Sequence, residues 1–178
     1  MKKTYCAYKS GILVSRVVAE NGCISFYNVD PFTGRIGDQP EDSLKTWGSF
    51  QLNVKKCLDM KKKLEAAYER CKGLIELEGD VFERYADPRY PGLDFLVQRK
   101  VKHPVDAMIY RGKVIGFLQQ HREHTLILAE EGYEMLTPLA QWHDGDISRA
   151  EFSVCFAGEH MVAMKDGVRL ATSVWLPQ

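Results

Sequence analysis

Residues 105–119, VDAMIYRGKVIGFLQ, carry the pattern on which the reading of the fold turns. Two runs rich in apolar, aromatic and β-branched residues flank Arg111-Gly112. That is the composition of two antiparallel strands joined by a tight turn. HTLILAE (124–130) is a third run, closed by Glu131-Gly132. Upstream, GILVSRVV (11–18) and CISFYNV (23–29) flank Glu20-Asn21-Gly22, where Asn-Gly is a strong hairpin signal. Downstream, EFSVCFA (151–157), HMVAM (160–164) and VRLATSVWLP (168–177) continue the series around Lys165-Asp166-Gly167. In the last run Val168, Leu170, Thr172, Val174 and Leu176 alternate with Arg169, Ala171, Ser173 and Trp175, and Pro177 ends it.

Between the two β regions the period changes. Residues 30–42, DPFTGRIGDQPED, have a loop composition. After them Leu44, Trp47, Gln51, Val54, Leu58, Leu64, Tyr68, Cys71 and Ile75 recur mainly at three- or four-residue steps. That stripe predicts one long amphipathic helix over about 43–75, capped by Asp42 or Ser43 and weakened at Gly73. Residues 78–104 are rich in proline and aromatics and read ambiguously; a short helix at 80–86 and a strand at 93–101 are both compatible with them. TPLAQWHDGD (137–146) reads as a short helix or loop ending in an Asp-Gly turn. The sum is an α+β fold, a mainly antiparallel sheet with one long helix laid across it.

Composition narrows the function. The 178 residues predict one domain, or one with a small appendage. Lys plus Arg and Asp plus Glu both number 24, so the formal net charge is 0. No overall positive field gathers phosphates, which argues against a nucleic-acid partner. Hydrophobic residues make up 45%, which excludes wholesale disorder. The longest apolar runs are too short to span a bilayer, and MKKTYCAYKS lacks the apolar core of a secretory signal. Cys6, Cys23, Cys57, Cys71 and Cys155 are odd in number, widely spaced and form no Cys-x-x-Cys. Reduced thiols in a cytoplasmic protein are the plain reading.

Each chemical constellation has a plainer alternative. His121 and His124 are spaced to chelate a metal if helical, but they fall between strand runs and read as a polar turn. His143, Asp144 and Asp146 contain a possible general base in a turn composition. Ser153, His160 and Asp166 supply the residue types of a triad, which only geometry can establish. Lys55, Lys56, Lys61, Lys62 and Lys63 read as a solvated helix face with pairs such as Lys61–Glu65. Tyr85, Tyr90, Phe95, Trp142 and Trp175 are numerous enough to line a pocket or interface, although most aromatics in a domain of this size are core. The sequence therefore assigns no catalytic, cofactor-binding or metal residue and implies no cofactor.

HMVAMKDGVRLATSVWLPQ, residues 160–178, resembles the opening of the catalytic domain in the X-prolyl dipeptidyl-peptidase and cocaine-esterase family of α/β-hydrolases. Those domains begin with a strand, an Arg-Asp-Gly turn, and a second strand ending in an aromatic, an aliphatic and Pro. The matching residues are Met164, Asp166, Gly167, Arg169, Leu170, Ala171, Thr172, Val174, Leu176 and Pro177. Lys165, Ser173 and Trp175 stand where Arg, Asp and Tyr are usual. The motif is structural: Asp-Gly makes the turn, and the alternation fixes the buried side of the strand.

The resemblance implies that residues 1–158 form an N-terminal accessory domain and 159–178 the first hairpin of a serine-hydrolase catalytic domain continuing beyond this chain. No Gly-x-Ser-x-Gly nucleophile elbow occurs in the sequence, so no hydrolase activity is expected of the chain alone. The accessory domain would pack on the catalytic domain, shape substrate access or mediate oligomerisation. The partners expected are that downstream domain and, through strands 151–176, a second copy; no membrane partner is expected. The alternatives are a free-standing binding or regulatory module, and a small thiol- or metal-dependent enzyme.

Overall fold

A computed structural model of the protein describes residues 2–30, 33–40, 52–121, 124–142 and 154–177. The chain divides into two compact units, Met1–Ile147 and Ser148–Gln178. Among the described residues, the first unit contains nine strands: β1 (Lys3–Lys9), β2 (Ile12–Glu20), β3 (Cys23–Asn28), β4 (Leu74–Leu77), β5 (Asp80–Ala86), β6 (Leu93–Arg99), β7 (Asp106–Tyr110), β8 (Lys113–Gln120) and β9 (Thr125–Glu130). The described residues of this unit also include one helix, α1 (Val54–Arg70), and two short 3-10 turns, Glu134–Leu136 and Pro138–Trp142.

The strands form one sheet in the order β3-β2-β1-β9-β8-β7-β6-β5-β4, each neighbour antiparallel. Four of its hairpins use the same device. Ser10-Gly11, Asn21-Gly22, Glu78-Gly79 and Arg111-Gly112 are two-residue connections with both residues at positive φ, between 48° and 86°. That backbone matches the right-handed twist of paired strands, and glycine takes the second position without steric cost.

The fold class is thus α+β and mainly antiparallel. Three sequence expectations change: the state of residues 80–86 and both ends of the helix, which starts at Val54 with Asn53 as its cap and not at about 43 with Asp42 or Ser43. Residues 80–86 are strand β5, because Val81 and Phe82 face β4 across a two-residue turn and Phe82 is fully buried. The helix ends at Arg70, and Ile75, expected in its stripe, lies in β4 opposite Phe82. Its start is set by Asn53, whose side chain accepts from the Lys56 N–H at 2.9 Å. Residues 41–51, including Asp42, Ser43, Leu44, Trp47 and Gln51, lie outside the described residues. Strand β1, which joins the two halves of the sheet, is an element the sequence reading missed.

Both faces of the sheet are apolar. On one, Val54, Cys57, Met60 and Leu64 of α1 pack with Tyr5, Val17, Ile75, Phe82, Leu96, Phe117 and Leu128. Complete burial of each large side chain stabilises by about 1.5–3 kcal/mol. On the other, Leu139 from the second 3-10 turn packs with Leu93, Phe95, Met108, Ile115, Leu118 and Ile127. A bulge shifts the alternation of β8, so that Val114 and Phe117 join one core and Ile115 and Leu118 the other: the register passes from Met108↔Gly116 to Ile109↔Val114, leaving Ile115 as the extra residue. Gly116 sits in the middle of the sheet because a Cβ there would lie 2.4 Å from the Leu128 carbonyl oxygen.

Candidate functional site

Among the described residues, the second unit is one hairpin, β10 (Val154–Ala163) paired antiparallel with β11 (Arg169–Pro177). Its turn is held by Met164 N–H to the Val168 carbonyl at 2.8 Å and Gly167 N–H to the Met164 carbonyl at 3.0 Å. The Asp166 carboxylate accepts from the Val168 N–H at 3.1 Å, and Gly167 has φ +86°. These contacts give the Lys165-Asp166-Gly167 segment its turn geometry.

The register sorts the side chains into two faces. Val162, Leu170, Val174 and Leu176 share one with Cys155, His160 and Thr172; Phe156, Met161, Ala171 and Trp175 share the other with Glu159 and Ser173. The Phe156 and Trp175 rings pair across the strands with centroids 5.2 Å apart. Between 155 and 176 no residue is buried, and Met161 and Trp175 are each 60% exposed. An isolated two-stranded hairpin is marginal in water, and this one offers apolar side chains on both faces.

A second constellation lies in the first unit, where α1 meets the sheet. The Glu130 carboxylate on β9 receives three ammonium groups. Lys61 of α1 hydrogen-bonds to its Oε2, Lys113 donates to Oε1 at 2.8 Å, and Lys3 lies 3.6 Å from Oε1. Lys61 also approaches the Tyr5 ring, and Lys113 the Tyr133 ring. Burial acts to raise the Glu130 carboxyl, but hydrogen bonds from Lys113 and Lys61 and the Lys3 charge hold it below the usual glutamate value. Nearby, Glu65 of α1 accepts from the Val114 N–H at the bulge, 2.9 Å away. These contacts pin the helix to β8 and β9.

This arrangement corrects the solvated-face reading of the lysine run at Lys61; Lys55, Lys56, Lys62 and Lys63 are exposed. Lys61 is only 7% exposed and pairs with Glu130, not Glu65. Lys63 pairs with Glu78, and Lys56 with Asp80. A buried lysine leaves no local sequence signal when its partner lies on a distant strand.

The remaining predicted residues are dispersed. His121 follows β8 and His124 precedes β9, their rings 5.1 Å apart, with the His103 ring 5.9 Å from His121. Among the described residues, no group of three His, Cys, Asp or Glu is arranged to hold a metal ion. His143, Asp144, Asp146 and Ser153 lie outside the described residues. His160 is on β10 and Asp166 in the hairpin turn. Cys6 and Cys57 are buried, and burial pushes both thiols up to about 12, the reverse of an activated nucleophile. Cys23 and Cys71 are exposed. Tyr85, Tyr90 and Phe95 line one cavity on the sheet face away from α1, Trp142 ends the second 3-10 turn, and Trp175 is in the hairpin. No helix among the described residues is long and apolar enough to cross a membrane.

No known protein family matches the sequence, and neither a curated protein nor a solved structure resembles it significantly.

Proposed function

We propose that this chain is the non-catalytic N-terminal accessory region of a cytoplasmic serine hydrolase of X-prolyl dipeptidyl-peptidase or acyl-esterase type. Residues 159–178 belong to the first hairpin of its catalytic domain, whose strand β10 begins at Val154. The sheet-and-helix unit packs on that domain, shapes substrate access or mediates oligomerisation.

The observation that carries the reading is the hairpin itself. It turns at Lys165-Asp166-Gly167, where the resemblance puts the turn, and it buries none of its described residues between 155 and 176. A hairpin apolar on both faces has the composition of strands destined for a covered sheet. The exposed backbone edges of β10 and β11 would also recruit a second copy if the catalytic domain were absent.

Two measurements test the proposal. Reading the gene past codon 178 should reveal an in-frame Gly-x-Ser-x-Gly; a stop codon with no neighbouring hydrolase gene refutes it. Purified chain should release no chromophore from Gly-Pro-p-nitroanilide or p-nitrophenyl acetate. Turnover that disappears on replacing a serine of this chain overturns the non-catalytic assignment.

A further inference from the structure

A cavity of about 320 Å³ opens on the sheet face away from α1. That is the small end of the range for ligand pockets. We propose that it is a binding site for a small organic ammonium ion, recognised by the Asp106 carboxylate and by the Tyr85, Tyr90 and Phe95 rings.

Charge accounting points to a cation. Three ionised side chains line the cavity: Asp87, Arg89 and Asp106. Arg89 is spent on Asp87, with its Nε 3.0 and 3.1 Å from the two carboxylate oxygens and a terminal nitrogen at 2.6 Å. That pair cancels and leaves the charge of Asp106. Asp106 forms no ion pair among the described residues; the nearby Arg99 is engaged by Glu83 at 2.7 Å. Burial raises the Asp106 carboxyl above its ordinary value, outweighing the Gln98 N–H and the nearby Arg99 charge, which both act to lower it.

The structural duty of Asp106 does not need that charge. The β6–β7 ladder ends at Leu96↔Ala107. Beyond it, Asp106 Oδ1 accepts from the Gln98 N–H at 3.0 Å, while Gln98 Oε1 accepts from the Val105 N–H at 2.9 Å. A neutral asparagine could still accept the Gln98 N–H through its Oδ1, without the charge assistance. The second oxygen of Asp106 has no hydrogen bond within the described protein. A negative charge kept beside an apolar sheet face, with no ion pair to it among the described residues, marks a place for an external cation.

The walls suit the same ligand. Tyr90 and Phe95 meet edge to face with centroids 5.9 Å apart, and the Arg89 guanidinium already lies 5.6 Å from the Tyr90 ring. Tyr85, opposite Phe95 on β5, is half exposed and offers its ring to the opening. Ring faces attract ammonium groups, most strongly where water is displaced. Gln120 and Thr125, paired at the end of the β8–β9 ladder, supply neutral acceptors for the ammonium hydrogens.

The test is titration of the purified full chain with benzylamine, tetramethylammonium and the neutral isostere benzyl alcohol, followed by amide chemical shifts and calorimetry. Benzylamine or tetramethylammonium should bind saturably, at least tenfold more tightly than benzyl alcohol, and shift the amides of Gln98, Asp106 and Thr125. Asp106→Asn should melt no lower than the parent and lose tenfold or more in affinity. Tyr85→Ala, a change at a half-exposed ring, should lose severalfold and gives an independent reading should Asp106→Asn misfold. Equal binding of amine and alcohol, no binding of either cation, or unchanged affinity in folded Asp106→Asn overturns the assignment.

Discussion

Replacing Glu130 with Gln removes one negative charge and leaves three ammonium groups behind. Lys3 and Lys113 are more than a third exposed and can turn to water. Lys61 is 7% exposed, held between α1 and the sheet, and cannot do so without moving the helix. Removing one partner of a buried ion pair costs about 3–5 kcal/mol, because the survivor stays desolvated and uncompensated. In a unit of this size each kcal/mol shifts the melting temperature by about 2–4 °C, so Glu130→Gln should melt about 10 °C lower. Lys61→Met removes the buried charge and keeps an apolar stem against Tyr5, so it should be neutral within about 1 kcal/mol or stabilising. The double variant should recover most of the loss. Thermal melts and urea denaturation of the four proteins close the cycle. The pH dependence adds a second readout. The folded carboxyl is held below its unfolded value of about 4.3, so its contribution is complete above that pH and is lost as pH falls through the folded value. This acid-side loss should be present in the parent and absent in Glu130→Gln. A Glu130→Gln variant melting within about 2 °C of the parent, or a Lys61→Met variant as damaged as Glu130→Gln, refutes the reasoning.

Gly116→Ala forces a methyl group to within 2.4 Å of the Leu128 carbonyl oxygen and 2.8 Å of Met108 Cε. It should destabilise by about 1–3 kcal/mol or more in urea titrations. A thiol titration of the folded protein at pH 8 should modify Cys23 and Cys71 quickly and leave Cys6 and Cys57 intact, with peptide mass spectrometry assigning the sites; rapid labelling of Cys57 contradicts its burial. Hydrogen exchange should be fast in β10 and β11, where no residue between 155 and 176 is buried, and slow in β8 and β9, whose Val114, Phe117, Leu126 and Leu128 are buried.

What the sequence made legible follows from how local each signal is. Strands β2, β3, β7, β8, β9 and β11 alternate or run apolar between turn residues, and their patterns need no distant partner to be recognised. The Glu78-Gly79 turn is written in the same code as Arg111-Gly112, yet β5 reads as helical because Phe82, Glu83, Arg84 and Tyr85 carry no alternation. In the sheet, Phe82 is buried while Glu83, Arg84 and Tyr85 are exposed, as befits a strand next to the edge. Strand β1 hides for another reason. Lys3 and Lys9 frame Tyr5, Cys6 and Ala7, and these middle residues are buried in the sheet centre while Lys3 reaches Glu130. The Lys61–Glu130 pair had no sequence signature, since it joins segments far apart in the chain. Asp106 did have one: a single acid at the head of an apolar strand run.

The ladder between β1 and β9 pairs Tyr5 with Glu130 and Lys9 with Leu126. Every other ladder of the large sheet joins strands that follow one another in the chain. The amino-terminal hairpins can therefore zip early during synthesis, but their inner flank stays open until β9 leaves the ribosome. Closing so wide a loop is entropically slow, and local pairings form first. The nascent chain passes through a stage in which β1 lacks its neighbour, and that interval is when capture by a chaperone, or by another unfinished chain, would matter most.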